Sequence, residues 1–475
     1  MRLDLSAISA SPTNRAGAQP AVACYLELVG LKRKRKSAVT ATVVMASLVA
    51  ALATLTTPAQ AAGLTTVAQR TVTGPGVMSV TITAHGCKGA RGEPVHALAR
   101  LTVDRRTVKY RHLKGTEKLG TTITSGPHKV VLTLENPSPS QARCRRSLRL
   151  ISLKVTKGPT PPTPAASAFA FAPYVDTSLY PQFKLAQTAR DTGVRYYSLA
   201  FVVSGPKGCQ ASWGGVTTLA QETTIASEIK ALRALGGDAL VSFGGAAGTE
   251  LAGSCDTATA TAAQYQAVID KYGLTRIDFD IEGGAVADPR SALRRAQAIT
   301  LLQSNASAAG KRLDVTFTLP VFPSGLTADG MEVMRSAINA GVRVTAVNGM
   351  AMDYGSWAAP NPVGHMGDYA IDVANGLKRQ LHSLYPSLTD RSLWKMVGVT
   401  PMIGVNDVAS EIFLISDAHK LVSFAKIKHL NMLSMWSGGR DKQCSGGAKQ
   451  WADATCSSIV QRPFEFTQAF IAYTG

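Results

Sequence analysis

The fold is decided by the segment Gly273-Leu-Thr-Arg-Ile-Asp-Phe-Asp-Ile-Glu-Gly-Gly284. Because successive side chains on a strand point to opposite faces, this segment predicts a strand with Asp278, Asp280 and Glu282 on one face. The Ile and Phe residues between them fall on the other face, so we expect the strand to be buried. Burying three negative charges is costly unless function requires it, and the acids are therefore predicted to form an active site.

A row of carboxylates separates the titrations of its members, because one negative charge raises the pKa of the next. One acid is then expected to keep its proton near neutral pH and to act as a general acid. An exposed edge strand with solvated acids and an acidic cation site remain as alternatives. A cation site needs further oxygen or imidazole ligands, and the chain has no His-x-His or His-Glu-x-x-His spacing. We expect neither a metal nor a cofactor.

Strand-like and helix-like segments alternate after residue 168. Helical patterns over 226–235, 262–272 and 291–302 are typical of the intervals between the apolar runs. Eight alternations within about 300 residues predict an α/β fold, a (β/α)8 TIM barrel, better than an open sheet. The predicted strands cover 168–175, 194–203, 239–244, 274–282, 313–319, 342–352, 394–400 and 429–436.

Unusual polar and aromatic residues fall at the predicted carboxyl ends of these strands, the rim where barrel enzymes carry their catalytic groups. The chain has neither a Gly-Lys-Ser/Thr phosphate loop nor a Gly-x-Ser-x-Gly nucleophile elbow. The rim segments are Ser242-Phe-Gly-Gly245 at the third strand, Glu282 at the fourth, Met352-Asp353-Tyr354 at the sixth and Trp436 at the eighth.

Residues 1–61 are predicted to be an N-terminal extension and a secretion signal. Lys32-Arg-Lys-Arg-Lys36 precedes the apolar run 38–55, and Pro58-Ala-Gln-Ala61 has the small-x-small form of a cleavage site. A single membrane anchor is the alternative, because the run approaches spanning length. We expect a secreted, extracellular protein without stable membrane insertion after cleavage.

The cysteines agree with export. Of the seven cysteines, Cys24 lies in the predicted leader, and cleavage would leave six. Each neighbouring pair lies within one predicted region, so we expect three local disulfides in an oxidising compartment, although six cysteines allow fifteen pairings. No Cys-x-x-Cys spacing supports zinc binding or dithiol chemistry. The expected pairs are Cys87 with Cys144, Cys209 with Cys255, and Cys444 with Cys456.

The net charge of +19 belongs mostly to a small region before the barrel. Residues 63–157 hold seventeen Lys and Arg against four Asp and Glu, in short alternating runs that predict an all-β, sandwich-like module over 62–157. The region lacks Trp and Phe, so a spacer and a salt-sensitive contact with anionic wall polymers both remain open, whereas nucleic acid is not expected. A Pro/Thr linker over 158–167 leads to the domain 168–475. The lack of heptads favours a monomer.

On these motifs, residues 168–475 resemble glycoside hydrolase family 18, the bacterial chitinases. The family's Ser-x-Gly-Gly motif is matched by Ser242, Gly244 and Gly245, and the last three acids of its Asp-x-x-Asp-x-Asp-x-Glu motif are matched on the fourth strand. Thr275 stands where the family has its first Asp. We expect this replacement to lie deep in the barrel, to remove a charge and to shift the titration of the acid row.

The resemblance implies a chitinase that hydrolyses β-1,4 bonds between N-acetylglucosamine units with retention, assisted by the acetamido group of the substrate. Glu282 would protonate the leaving oxygen, and Asp280 would orient the acetamide. Asp278 would share a proton or a hydrogen bond with Asp280, supported by Ser242. The other residues implied at the site are Asp353 and Tyr354 as hydrogen-bonding partners of the sugar, Trp436 as its apolar floor, and Gly244, Gly245 and Met352.

About 25 residues separate the seventh and eighth predicted strands, too few for an inserted α/β domain beside the groove. We therefore expect a shallow cleft and cleavage within chains. Two alternatives remain open: an endo-β-N-acetylglucosaminidase acting on glycoprotein glycans, and a chitin-binding or wall-binding protein with weak activity. The expected partners are chitin or N-acetylglucosamine oligosaccharides.

Overall fold

The computed structural model describes residues 64–85, 87–88, 94–95, 97–104, 106–113, 115–135, 147–156 and 169–475. The secretion signal, the linker and Cys144 lie outside these residues, so the predictions about them stay predictions. The predicted domain boundaries are likewise untested.

The basic region forms an antiparallel sheet in the order β5-β4-β6-β1-β7, and β2 pairs with β3. The long strands β1 and β6 pair with shifts of register near Thr66 and Gly74. Met78, Val80 and Ile82 alternate into an apolar core, as period-2 patterning requires. Sandwich-like packing of this sheet stays a prediction. The strands are β1 Leu64–His85, β2 Cys87–Lys88, β3 Pro94–Val95, β4 Ala97–Val103, β5 Arg106–Leu113, β6 Gly115–Glu135 and β7 Ser147–Thr156.

From residue 169 the chain is mixed α/β, as predicted, and each predicted strand has an observed counterpart. The strands are β8 Tyr174–Asp176, β9 Tyr196–Gly205, β10 Gly208–Trp213, β11 Thr217–Thr218, β12 Asp238–Gly244, β13 Arg276–Asp280, β14 Asp314–Phe322, β15 Gly325–Leu326, β16 Ala346–Ala351, β17 Val397–Pro401, β18 Gly404–Val405, β19 Ile412–Phe413 and β20 Met432–Leu433.

The helices lie between these strands and begin and end at recognisable caps. The Asp288 side chain accepts hydrogen bonds from the first turn of α5, which has Pro289 at its start, and Thr327 caps α6 in the same way. Gly273 ends α4 in the left-handed conformation. The helices are α1 Leu185–Thr192, α2 Thr224–Arg233, α3 Leu251–Ser254, α4 Ala258–Tyr272, α5 Pro289–Ala308, α6 Ala328–Asn339, α7 Met366–Leu384, α8 Asp390–Trp394, α9 Ile415–Lys428 and α10 Glu465–Phe470.

The main strands pair in parallel, in the order β8-β9-β12-β13-β14-β16-β17-β20. Leu433 N–H donates to the Ala170 carbonyl (2.7 Å), Ala172 N–H to the Leu433 carbonyl (3.1 Å) and Tyr174 N–H to the Met435 carbonyl (3.1 Å). The last strand therefore also contacts the segment just before the first. Strands β8 and β20 are shorter than predicted. Parallel pairing continues outside their bounds as isolated bridges, which join Phe171 to Leu433 and Met402 to Trp436.

All five residues of β13 are buried, between β12 and β14. The edge-strand alternative is therefore wrong, since the acids lie on a central strand. The sheet places the end of this strand beside the end of β12, with Ser242 opposite Asp278.

Two of the three predicted disulfides are present. Cys209 pairs with Cys255 and Cys444 with Cys456, and Cys144 of the third predicted pair is not described. The first disulfide ties strand β10 to the residue that ends α3.

The connection from β17 to β20 is short, as predicted. Every residue of 402–431 is described, and these residues form the pair β18–β19 and helix α9 without an inserted domain. Within the described ranges, none of the helices combines the length and the apolar character needed to cross a membrane.

Candidate active site

Asp278 is buried and held by three hydroxyl groups from neighbouring strands. Its Oδ2 atom accepts hydrogen bonds from Ser242 Oγ (2.6 Å) and from the Tyr174 hydroxyl (2.8 Å). Its Oδ1 atom accepts from Thr318 Oγ1 (2.8 Å). Burial raises the pKa of Asp278, and these hydrogen bonds and the charge of Arg276 oppose that rise. The predicted contact between Ser242 and Asp278 is thus observed.

Asp280 lies two residues further along the same face and is 4 % exposed. Burial, and then the charges of Glu282 and Asp278, raise the pKa of Asp280 well above its usual value. Its Oδ1 atom is buried and has no hydrogen-bond partner among the described residues. Asp280 is hydrogen-bonded to Glu282, whereas the Asp278 oxygens are occupied by the three hydroxyls. The hydrogen bond within the acid row therefore joins Asp280 to Glu282, and not Asp278 to Asp280.

Glu282 lies two residues after the end of β13 and continues its alternation, since its backbone is extended (φ −129°, ψ 169°). The side chain is half-buried. Burial raises the pKa of Glu282, the hydrogen bond from Asp280 opposes this, and the charge of Asp353 adds to the rise. The two acids titrate as a pair, and the pair keeps a proton to higher pH than a free carboxyl group would.

The end of β12 approaches the acid strand so closely that only glycine fits. A Cβ atom on Gly244 (φ +107°) would lie 2.0 Å from the Asp280 carbonyl oxygen, and one on Gly245 (φ +88°) would lie 2.5 Å from the Phe201 ring. Gly245 N–H donates to the Asp280 carbonyl (2.9 Å). The structure thus places both glycines where they make room for Asp280 and Phe201.

An aromatic group lies beside the acids. Trp436 is half-buried, and its ring stacks on Phe201 with centroids 5.6 Å apart and planes 16° apart. The Tyr174 ring lies 6.0 Å from Trp436, and the Tyr174 hydroxyl donates to Asp278. Tyr174 therefore connects the predicted sugar floor to the acid row.

Asp353 follows β16 and adopts a left-handed conformation (φ +52°). Its Oδ1 atom accepts a hydrogen bond from Val408 N–H (2.8 Å). Burial raises the pKa of Asp353 to about 6, the Val408 N–H opposes this, and the charges of Asp407 and Glu411 add to the rise. Because the charge of Asp353 also raises the pKa of Glu282, the structure brings these two acids together.

The predicted contacts of Tyr354 and Met352 with the sugar stay predictions. Tyr354 is 3 % exposed, and its ring meets Tyr369 of α7 edge-on, with centroids 6.0 Å apart. Its hydroxyl is buried without a partner in the described part of the chain. The left-handed turn at Asp353 interrupts the strand alternation and directs Tyr354 into the core. Met352 is half-buried, and its N–H donates to the Met350 carbonyl (2.9 Å).

The comparison with known proteins begins with two curated relatives. The chain is 37 % identical over 322 residues to the probable bifunctional chitinase/lysozyme of Escherichia coli K12, across 66 % of this chain and 35 % of the relative. It is 37 % identical over 286 residues to endochitinase 11 of Metarhizium anisopliae, across 59 % of this chain and 54 % of the relative. The chain thus spans about a third and about half of these relatives. No protein-family model matches it.

A solved structure decides the family. Catalytic-site mutants of active domain 2 of the Pyrococcus furiosus chitinase, complexed with chito-oligosaccharides, are 32 % identical to this chain, with a TM-score of 0.58. The match covers 66 % of this chain and 96 % of that chain. The chain belongs to glycoside hydrolase family 18.

The family motif departs from the prediction at one position. Thr275, which replaces the first Asp of the family 18 motif, is exposed and precedes β13, so the prediction that it lies deep in the barrel is wrong. It lies at the amino end of the strand, where its carbonyl accepts from Asp314 N–H (2.9 Å). The replacement therefore removes no charge from the acid row.

The buried charge beneath the family 18 acids is Arg276. It is 2 % exposed, two residues before Asp278 on the same face of β13. Its guanidinium donates to Thr316 Oγ1 (3.1 Å and 2.9 Å) and to Asn431 Oδ1 (2.8 Å). Burial lowers the pKa of Arg276 to about 10, and the charges of Asp314 and Asp278 oppose that change.

Sequence analysis missed the groups that hold Asp278 from other strands. Asn348 Nδ2 donates to Thr318 Oγ1 (3.0 Å) and to Thr400 Oγ1 (2.7 Å). Thr318 in turn donates to Asp278, and its hydroxyl lies 2.9 Å from that of Tyr174. Asn348, Thr318 and Thr400 are polar residues at inward-facing positions of otherwise apolar predicted strands. This polarity is the sequence signal that could have identified them.

Arg276→Met is expected to lower the free energy of unfolding by about 3 kcal/mol, because it leaves buried acids without their cation. Without that cation, the pKa of Asp278 rises, so the acid limb of the pH–rate profile moves to higher pH. Urea unfolding and initial rates against pH measure both effects. Arg312→Met is the control, since Arg312 pairs with Asp314 at the surface. A profile that does not move contradicts the electrostatic role.

Gly245→Ala is expected to destabilise the protein by about 1–3 kcal/mol and to lower kcat/KM, because the new methyl group displaces Phe201 from beneath Trp436. Thermal unfolding and initial rates measure the two losses. Gly446→Ala is the matched control, because Gly446 has a similar φ of +86° but no atom within 4 Å of the place that a Cβ atom would take. Equal losses in both variants would show that backbone strain alone is responsible.

Proposed function

We propose that this chain is a secreted chitinase that hydrolyses β-1,4 bonds between N-acetylglucosamine units by substrate-assisted, retaining catalysis. The observation that carries the proposal is the buried, unpartnered Oδ1 of Asp280 beside Glu282, among the described residues. A carboxylate oxygen in that position is free to accept the N–H of a substrate acetamide. The proton kept by the acid pair is available for the leaving oxygen.

In the proposed mechanism, Glu282 protonates the glycosidic oxygen and later activates water. Asp280 orients the acetamide, whose carbonyl oxygen attacks the anomeric carbon, and stabilises the positive charge that develops. Asp278 is fixed by Tyr174 and Ser242, so its charge is in place before the transition state forms. Trp436 lies under the sugar ring.

We also propose that the catalytic domain is a closed (β/α)8 barrel. The proposal is supported by the parallel order of the main strands and by the hydrogen bonds that join Leu433 to Ala170 and Ala172. Secretion is supported by the charge and apolar pattern of residues 1–61 and by two disulfides, which are typical of oxidising compartments.

Cleavage within chains is proposed from the short β17–β20 connection, which carries no inserted domain that could wall one side of the groove. The name of endochitinase 11, a 37 % identical relative, agrees with this proposal. On a soluble chitin hexamer, we expect dimer, trimer and tetramer from the first minutes. Dimer alone from the outset would contradict cleavage within chains.

A comparison of substrates tests the function. We expect hydrolysis of the chitin hexamer and none of a high-mannose glycoprotein. Release of the glycoprotein glycan without hexamer hydrolysis would support the endo-β-N-acetylglucosaminidase instead. Binding of the hexamer without turnover would support a binding protein. Peptidoglycan is a further substrate to include, because the Escherichia coli relative is named a chitinase/lysozyme.

The basic module is proposed to contact anionic wall polymers. Exposed Lys129, Arg149 and Lys154 on its sheet support this. Co-sedimentation with purified anionic wall polymer is expected at low salt and is expected to be lost at high salt, because exposed charges are screened.

A further inference from the structure

A short hairpin after β17 contacts the turn that carries Asp353. In this hairpin β18 pairs with β19, and Glu411 lies just before β19 and is 1 % exposed. Its Oε2 atom accepts a hydrogen bond from Tyr354 N–H (3.0 Å), and its Oε1 atom accepts from Gly355 N–H (2.8 Å). Both oxygens of one buried carboxylate therefore bind two consecutive amides that follow Asp353.

The same hairpin contacts the Asp353 side chain. Val408 N–H donates to Asp353 Oδ1 (2.8 Å), and Glu411 N–H donates to the Val408 carbonyl (2.8 Å). Asn406 fixes the base of the hairpin, because its side chain donates to the Met402 (2.9 Å) and Gly404 (3.1 Å) carbonyls. Asp353 is thus held at its carboxyl group and at the backbone that follows it.

The backbone conformation of Asp353 explains why the hairpin must support this turn. Asp353 has a φ of +52°, a left-handed conformation that costs a residue with a side chain free energy. Such a conformation persists where surrounding contacts favour it. The two amides bound by Glu411 belong to the residues that complete this turn.

We propose that Glu411 is a positioning residue, which fixes Asp353 beside Glu282. It thereby links the β18–β19 hairpin to the acid pair of Asp280 and Glu282. The inference rests on the proposed function, because it assigns Glu411 a part in the same reaction. Glu411 acts through Asp353 and does not touch the substrate.

The charged groups around Asp353 give the expected pH effect. They come from the hairpin (Asp407 and Glu411), from the segment after β13 (Glu282) and from the segment after β20 (Arg440). Burial raises the pKa of Asp353 to about 6, and the Glu411 charge contributes to that rise. Removing the Glu411 charge therefore lowers the pKa of Asp353.

The test is Glu411→Gln, which keeps the shape of the side chain but loses one acceptor and the charge. We expect kcat on the chitin hexamer to fall about 10-fold with a smaller change in KM, because the lost interaction acts on the reacting groups. We expect the limb of the pH–rate profile near pH 6 to move to lower pH by roughly half a unit or more.

Asp441→Asn is the matched control. Asp441 is 1 % exposed and accepts hydrogen bonds from two consecutive amides, Phe466 N–H (3.1 Å) and Thr467 N–H (2.7 Å), where it caps α10. We expect the Asp441→Asn variant to be less stable than the wild type and to keep the same pH–rate profile. A Glu411→Gln variant that loses stability while its profile stays in place would overturn the proposal.

Two further measurements separate this inference from the proposed function. Hydrogen exchange of the Tyr354 and Gly355 amides is expected to accelerate in Glu411→Gln, whether or not the protein hydrolyses chitin, and unchanged exchange would overturn the inference. In the double variant with Asp353→Asn, we expect Glu411→Gln to add little further loss. Fully additive losses would show that Glu411 does not act through Asp353. An inactive wild-type protein would contradict the proposed function instead.

Discussion

Glu282→Gln is expected to lower kcat on a chitin hexamer by about 10³-fold while KM changes little. The amide keeps the shape of the side chain at the end of the acid row. It cannot transfer a proton to the leaving oxygen, which is the step assigned to Glu282. Initial rates on the hexamer measure turnover, and calorimetric titration measures retained binding.

Glu222→Gln is the control for losing a buried glutamate. Glu222 is 6 % exposed and accepts a hydrogen bond from the Tyr272 hydroxyl (2.9 Å), near the start of α2. We expect its activity to equal that of the wild type. A Glu282→Gln protein that kept a tenth or more of wild-type turnover would remove Glu282 from the role of general acid.

Asp280→Asn is expected to lower kcat by about 10²-fold and to increase stability at neutral pH. The folded-state pKa of Asp280 is raised well above 3.8, first by burial and then by Glu282 and Asp278. Between the unfolded and the folded pKa, the folded state binds more protons, so stability falls as pH rises through this window. Asn escapes that penalty, and we expect a gain of about 1–2 kcal/mol at pH 8 that disappears below the unfolded pKa.

Urea unfolding of both proteins at acidic and alkaline pH measures this difference. Asp453→Asn is a control of opposite sign, because the hydrogen bond from Lys449, followed by those from Thr455, lowers the pKa of Asp453. Its loss of stability should grow as pH rises above the folded pKa and be absent in acid. An Asp280→Asn protein less stable than the wild type at pH 8 would contradict the electrostatic account of the acid row.

The period-2 pattern was enough to predict a strand with the three acids on one face, because side-chain alternation depends on local sequence. The apolar residues Ile277 and Phe279 between the acids were enough to predict that this strand is buried. The spacing of similar runs was enough for the α/β class, and cysteines close in sequence were enough for two disulfides. These features depend on local sequence.

Other features depend on contacts between distant segments or on one backbone angle. No motif marks Tyr174, Thr318 or Glu411. The sheet order brings Tyr174 and Thr318 to Asp278. The hairpin after β17 brings Glu411 to the turn that carries Asp353. The resemblance to family 18 implied that Tyr354 binds the sugar, but the left-handed turn at Asp353 and the packing of the Tyr354 ring against Tyr369 could not be predicted from the sequence. Gly244 and Gly245 were predicted as binding residues, and only the structure shows the close approach of Asp280 and Phe201 that requires them.

The central claim is that Asp280 and Glu282 use the acetamide of the substrate as the nucleophile. Proton NMR of the first sugar released from a chitin hexamer, recorded before mutarotation, tests it most directly. Two displacements at the same carbon preserve its configuration, so the account predicts the β anomer. The α anomer as the first product would contradict it.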